Sequence, residues 1–374
     1  MMVYAYALFV PAGVALPSTY ASDLFADAVH VTIGPWVLFP VILAAVVLSA
    51  YLGIRTSSSA DLVLVAGEMA VIAALAITIL IKIGPGHYSA AVFSPASSPN
   101  DRLTDITDAM IYGITAFAGF EAAAALGEEA RNTRRSVPAS IVGIVVVSGV
   151  FYLLVACAEM FVAGRHGVGG FIAQPSPLGY LTSRYWSPSV LWTIQLVIFF
   201  AGLSFVIAAV NAAARVGFAM GRERVLPGSL ARLSRRQTPA VAIGCLAVLT
   251  LALGLPLTYA YGGARTFGYL ASAGGLAVVL VYLAVIRAFR TEFRDQFRLA
   301  RHLLIPAAAV VVFLFPLWGT IRPPAYTLVN LLPFIALGWL GLGAIAAVVL
   351  RTRRPASFET LGRAFMPAEE VKQQ

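Results

Sequence analysis

The chain has 374 residues, of which 60% are hydrophobic and only 11% are charged. An ordinary soluble domain carries roughly 25% charged residues, so this composition excludes one and indicates a membrane protein. The formal net charge of +9 also calls for an explanation, because basic proteins often bind nucleic acid or anionic lipid.

About ten mostly apolar stretches follow one another along the chain, separated by short polar joints. A helix needs about 20 apolar residues to cross the hydrocarbon core of a bilayer. A transmembrane β-barrel would instead show strands of alternating apolar and polar residues, and runs such as "VILAAVVLSAYLGI" do not alternate. The predicted segments are 2–22, 34–54, 61–82, 106–128, 137–163, 188–218, 239–261, 266–288, 303–321 and 326–350.

The arginines and lysines are distributed unequally between the joints. If the segments alternate across the membrane, nineteen of these residues fall on one side and six on the other. The more basic side is expected to face the cytoplasm, which places both chain ends there. We assign these residues to lipid headgroups and not to nucleic acid. The sequence thus predicts one transmembrane domain over 1–354 and a polar cytoplasmic tail over 355–374, in the plasma (inner) membrane.

Patterns typical of enzymes and metal proteins are absent from the sequence. It contains no HExxH, Walker, CxxC or GxSxG motif, and its two cysteines, Cys157 and Cys245, lie in apolar segments. Cysteines in such positions usually fill a core and do not form a disulfide or a metal site. No cofactor, metal or catalytic residue is predicted, and an enzyme is disfavoured.

The stretch "ITAFAGFEAAAALGEEARNTRRSVP", residues 114–138, combines an apolar segment with features that weaken a helix. Glycines at 113, 119 and 127 are each unfavourable in a helix by about 1 kcal/mol relative to alanine, and Glu121 follows one of them. A helix break inside a membrane is tolerated only beside protein or a water-filled cavity. Broken helices in transporters present backbone groups to charged substrates, so the stretch predicts a cavity suited to a zwitterion.

Three blocks resemble the amino acid/polyamine/organocation (APC) superfamily of permeases. The first is Ala116-Phe117-Ala118-Gly119-Phe120-Glu121, followed by an acidic pair, a basic stretch and Pro138. The others are "NAAARVGFAMGRERVLPGSLARLSRRQTPAVAI" and "YLGIRTSSSADLVLVAGEMAV". The resemblance implies an all-α polytopic fold of two inverted five-helix repeats followed by two helices. It also implies transport of amino acids or related organic cations by alternating access, with proton coupling.

The position of the first block differs from the family pattern. It lies on the fourth predicted segment, whereas the family carries it on the sixth helix, so the first two family helices have no counterpart here. The first of these normally carries a glycine-rich turn that holds the substrate carboxylate. Three explanations stay open: a wrong or truncated start, a degenerate remnant, or a partner that supplies the missing half-site. For the 374-residue chain alone we expect weak uptake or none.

The resemblance also assigns candidate substrate-binding residues around the expected break. They are Thr115, Phe117, Ala118, Gly119 and Phe120. The family often has a bulky gating aromatic residue where Thr115 stands, so this difference indicates another pocket shape. Glu121 is a candidate proton carrier, and the alternative is a carboxylate that only ties the broken helix to a neighbour.

Three further polar residues are candidates for ion or proton coupling. Glu68 lies where some proton-linked relatives have a lysine in a sodium-like site, and Ser204 and Asn211 lie on the family's eighth helix. Each could instead make a hydrogen bond between helices, a common role of polar residues in bilayers. The alternative to transport is a transport-incompetent remnant or a substrate-binding membrane scaffold. The sequence leaves the substrate and the oligomeric state open.

Overall fold

The computed structural model describes residues 2–53, 58–97, 103–119, 133–166, 176–292, 303–321 and 328–353. Within these ranges the chain forms helices and no strand. The α-helices are α1 (Met2–Val29), α2 (Pro35–Leu52), α3 (Ser58–Ile83), α4 (Leu103–Phe117), α5 (Thr133–His166), α6 (Pro177–Tyr185), α7 (Leu191–Arg222), α8 (Ala240–Tyr261), α9 (Gly263–Glu292), α10 (Ile305–Ile321) and α11 (Leu328–Arg353). Short 3₁₀ helices occupy Pro85–His87, Ala90–Phe93, Pro95–Ser97, Pro188–Val190 and Gly228–Ala231.

Every predicted apolar segment overlaps one of these helices. Seven helices in the described ranges are long and apolar enough to cross a membrane, and α10 and α11 contain shorter apolar helical stretches. The predicted segment 106–128 corresponds to α4, whose described part is 15 residues long. Residues 120–132 and the predicted tail 355–374 lie outside the described residues.

The larger of two hydrophobic clusters surrounds α1. Most of its buried side chains come from α1, α2, α7, α8 and α9, among them Val10, Phe39, Val206, Ile243 and Leu276. In α1, 72% of the apolar 18-residue stretch that could span the membrane is buried, whereas in α5 only 6% of the corresponding stretch is buried. Helix α1 is therefore the centre of the bundle, although Pro11 and Pro17 lie inside it.

A second hydrophobic cluster joins α3, α5, α6 and the beginning of α7. Its buried members include Leu75, Ile79, Val162, Leu181 and Ile194. Helix α7 belongs to both clusters, because Ile194 packs in this one and Val206 packs around α1. With 32 residues, α7 is about 48 Å long at 1.5 Å per residue, long enough to connect the two clusters.

Apolar side chains also cover the outer surface of the bundle. Val63, Leu153 and Val248 are each about two-thirds or more exposed, on α3, α5 and α8. Lipid tails are as apolar as leucine, so a membrane helix loses nothing by turning such residues outward. This surface agrees with an integral membrane protein.

Candidate functional site

Helix α4 ends inside the Ala116–Glu121 motif. Its last helical residue is Phe117, and the N–H of Ala118 donates to the carbonyl oxygen of Thr115 at 3.0 Å. Gly119 then has a φ of 116°, a backbone conformation that L side chains rarely adopt and glycine adopts readily. The helical backbone thus stops at the place where the sequence predicts a break.

One face of α4 packs against α9. Thr107, Ile111 and Thr115 follow one another at intervals of four residues and therefore lie on one side of the helix. The Thr115 hydroxyl donates to the carbonyl oxygen of Ile111 at 2.7 Å. A Cβ atom added to Gly275 of α9 would lie 1.9 Å from the Thr115 Oγ1 atom. Only glycine at 275 lets the backbone of α9 approach Thr115 this closely.

Helix α5 holds the end of α4 through Tyr152. The Tyr152 hydroxyl donates to the carbonyl oxygen of Ala116 at 2.8 Å. Its ring meets the Phe117 ring edge to face, with centroids 5.2 Å apart and planes at 80°. The last four carbonyl groups of a helix lack intrahelical partners, and Tyr152 supplies a donor to one of them.

Tyr152 and Gly275 were not among the residues chosen from the sequence. Tyr152 stands in the apolar run "GVFYLLV", where an aromatic residue is ordinarily core filling. Gly275 belongs to a glycine pair at 274–275 inside an apolar helix. That pair was the available signal, because adjacent glycines in a membrane helix favour a close approach of another helix.

The end of α4 can accept hydrogen bonds from a positively charged group. A helix C-terminus carries a partial negative charge and exposes carbonyl oxygens. Half-buried Thr115, Phe117 and Ala118 surround this terminus, and Gly119 is exposed. Phe120 and Glu121, the other candidates from the motif, lie outside the described residues. The part of the site that the structure describes therefore contains the hydrogen-bond acceptors, which are the carbonyl oxygens at the end of α4.

Glu68 lies on α3, away from the end of α4. Its side chain is 9% exposed, and its Oε1 atom has no hydrogen-bond partner among the described residues. Helix α3 packs on α5, α6 and α7, whereas α4 packs on α9 and α10. A buried carboxylate oxygen without a donor is energetically costly, so Glu68 requires a proton, an ion or water as a partner.

Ser204 and Asn211 lie on α7, two turns apart. Ser204 is half-buried and Asn211 is exposed. Helix α7 contacts α3, which carries Glu68, and also α1, α2, α6 and α8. The seven candidates that the structure describes thus fall into two groups, one at the end of α4 and one on α3 and α7.

The two cysteines are free thiols, Cys157 half-buried on α5 and Cys245 exposed on α8. Within the described ranges, no three His, Cys, Asp or Glu side chains are grouped closely enough to hold a metal ion. The strongest described candidates for substrate or ion binding are therefore the backbone end of α4 and Glu68.

Comparison with known proteins gives an independent line of evidence. The amino acid permease family matches residues 1–348. The branched-chain amino acid permease BcaP of Lactococcus lactis is 26% identical over 324 residues, which cover 83% of this chain and 66% of the relative. The methylthioribose transporter of Bacillus subtilis is 22% identical over 302 residues, covering 77% of this chain and 59% of the relative.

A second BcaP, from Bacillus subtilis, is 24% identical over 281 residues, which cover 74% of this chain and 57% of the relative. The matched part of the chain thus spans between a little over half and about two-thirds of these relatives. All three are transporters by name, and none is an enzyme. Their names agree with the resemblance seen in the motif that ends α4. The chain therefore belongs to the amino acid permease family.

Proposed function

We propose that the protein is a secondary transporter that moves an amino acid, or a related organic cation, across the plasma membrane by alternating access. The end of helix α4 at Phe117–Gly119, between α5 and α9, carries this proposal. Broken helices near the membrane midplane form the substrate sites of inverted-repeat transporters. The proposed fold is accordingly the five-plus-five inverted repeat, with both chain ends in the cytoplasm.

The chemistry of this helix end supports a substrate with an ammonium group. The carbonyl oxygens at the C-terminus of α4 are acceptors with a partial negative charge, and an ammonium group has three N–H donors. Thr115, Phe117, Ala118, Gly119 and Phe120 are the proposed substrate contacts. Because two relatives are named branched-chain amino acid permeases, leucine, isoleucine and valine are the first substrates to test.

Proton coupling is assigned to Glu68 and Glu121, with Ser204 and Asn211 along the ion route. The support at Glu68 is its buried carboxylate oxygen without a donor among the described residues. A carboxylate in a membrane interior is costly, and such residues are often functional. If this carboxyl group gains and loses a proton during transport, its protonated state carries no charge and avoids the cost of a buried carboxylate.

Uptake of labelled leucine into membrane vesicles tests the function. Two forms are assayed in parallel: the 374-residue chain, and a longer chain in case the coding DNA upstream of Met1 encodes further in-frame apolar segments. We expect a form that carries both additional helices to accumulate leucine more strongly when an inward proton gradient is imposed, and the 374-residue chain alone to give weak uptake or none. Methylthioribose is tested as the competing substrate, because one relative is named for it.

Vesicles without the protein and vesicles with a Gly119→Val variant are the controls. The variant places a β-branched residue at a φ of 116° and should abolish gradient-driven uptake. Leucine binding without any uptake by either form would contradict transport and favour a membrane scaffold. If no amino acid, amine or methylthioribose is bound or taken up, the proposed substrate class is rejected.

A further inference from the structure

A second polar group of residues lies far from the end of α4, where the end of α1 meets the beginning of α7. Asp23 and Asp27 stand four residues apart on α1 and therefore on one side of the helix. The Gln195 side chain of α7 donates from Nε2 to the Asp27 Oδ2 atom at 2.7 Å. We call Asp23, Asp27 and Gln195 the α1–α7 acceptor group.

Helices α1 and α7 pack antiparallel, which fixes the position of Asp23. A Cβ added to Gly13 would contact Val206, and one added to Gly202 would contact Pro17. Asp27 meets Gln195 farther along the same pair. Because Asp23 lies between Pro17 and Asp27 on α1, it stands at the level of the first turns of α7.

The Gln195 amide is incompletely satisfied. The side chain is 6% exposed, and its Oε1 atom has no hydrogen-bond partner among the described residues. Its Nε2 atom is occupied by Asp27, which fixes the amide beside that carboxylate and leaves a buried acceptor next to it. Buried acceptors are seldom left without a donor. The missing donor must therefore come from outside the described residues.

The charge at this place is negative. The Asp23 and Asp27 carboxylates are close enough to repel each other, and neither forms an ion pair with a described residue. Two cations near the start of α7 have other partners. Lys82 Nζ donates to the carbonyl oxygen of Tyr185, and Arg184 donates to the Tyr180 hydroxyl at 3.3 Å.

The surroundings leave the group open on one side. Asp27 is exposed, Asp23 is half-buried and Gln195 is buried, so the acceptors extend from the surface inward. The Ser176 side chain caps α6 by accepting from the Gly179 N–H, and it lies near Tyr20, one turn before Asp23 on α1.

We propose that the α1–α7 acceptor group binds a primary ammonium group, either of a free amine or of an amino acid. An ammonium group has three N–H donors, which match the Asp23 carboxylate, the free oxygen of Asp27 and the Gln195 Oε1 atom. The site is distinct from the end of α4, and its existence does not depend on transport. On the predicted topology it faces the outside of the membrane, as an entrance site.

Binding of ethylammonium to the purified full chain in detergent tests the proposal, with ligand-observed NMR as the readout. Ethanol is the neutral control ligand of similar size, and alanine is the amino acid probe. We expect ethylammonium to bind and ethanol not to bind. Binding of alanine at the same residues identifies amino acids as a source of the ammonium group, and its failure limits the site to free amines.

Four variants separate this site from general charge effects. Asp27→Asn and Gln195→Met should each weaken ethylammonium binding by about tenfold, since both remove an acceptor that faces the charged ligand. Asp27→Glu keeps the carboxylate and should retain most of the affinity. Glu223→Gln removes one negative charge at the opposite end of α7 and should leave binding unchanged. Size-exclusion profiles and unfolding midpoints establish that each variant is folded.

Two results would overturn the proposal. One is equal ethylammonium affinity in the wild-type chain and in folded Asp27→Asn and Asp23→Asn variants. The other is displacement of ethylammonium by Na⁺ at a concentration lower than the one at which ethylammonium itself binds. The acceptor group would then be an alkali-ion site. Choline serves as the inert control cation. Leucine uptake fails or succeeds independently of both results, so the transport function is tested separately.

Discussion

The Tyr152 hydroxyl of α5 donates a hydrogen bond of 2.8 Å to the carbonyl oxygen of Ala116, one residue before α4 ends. This contact joins residues that are 36 positions apart in sequence. It satisfies a carbonyl group that the helix itself leaves without a partner. The end of α4 is therefore a fixed feature of the bundle, held at the point where the substrate is proposed to bind.

Replacing Tyr152 by Phe should keep the ring contact with Phe117 and remove only this hydrogen bond. We expect a loss of about 1 kcal/mol in the free energy of unfolding, the usual contribution of one hydrogen bond. The apparent affinity for leucine should also fall, because the end of α4 becomes less fixed. Thermal unfolding in detergent and uptake kinetics measure the two effects. Tyr259→Phe on α8, a largely exposed residue, is the control and should change neither.

Gly275→Ala should be destabilising because the new Cβ would lie 1.9 Å from the Thr115 Oγ1 atom. Overpacking of this kind typically costs about 1–3 kcal/mol. The Thr115→Ala change removes the clashing oxygen, so the double variant should recover most of the lost stability. Gly244→Ala has open space around its added Cβ and serves as the control. Additive effects in the double-mutant cycle would contradict the close approach of α9 to Thr115.

Gly119 and Gly113 should respond in opposite directions to alanine. Gly119 has a φ of 116°, where a side chain is strained by about 1–3 kcal/mol. Gly113 lies inside α4 with no atom within 4 Å of an added Cβ, and alanine favours a helix by about 1 kcal/mol. Unfolding midpoints should therefore fall for Gly119→Ala and rise for Gly113→Ala. Equal rises would show that residue 119 is helical.

Glu68→Gln tests the proposed coupling residue with an isosteric neutral side chain. If Glu68 exchanges a proton during transport, uptake by the variant should no longer increase when a proton gradient is imposed, while exchange of leucine across the membrane should persist. Glu223→Gln, at the cytoplasmic end of α7 on the predicted topology, is the matched control. A Glu68→Gln variant with an unchanged gradient response would leave Glu68 as a purely structural residue.

Hydropathy sufficed to locate the helices, because each apolar segment must satisfy its own backbone hydrogen bonds in lipid. The end of α4 was also predictable, since Gly119 and its neighbours weaken a helix locally. Among the candidate residues, the set from Thr115 to Gly119 lies together for the simple reason that it is contiguous. The separate location of Glu68, Ser204 and Asn211 on α3 and α7 required the packing of the helices.

The membrane class, the order and approximate bounds of the helices, and membership of a permease family can all be read from the sequence. These are local properties, encoded by runs of neighbouring residues. The contacts of Tyr152 with Ala116, of Gly275 with Thr115 and of Gln195 with Asp27 follow instead from how the helices pack. The last pair is 168 residues apart. Apolar helices share nearly the same surface chemistry, so which faces meet depends on the fit of the whole bundle.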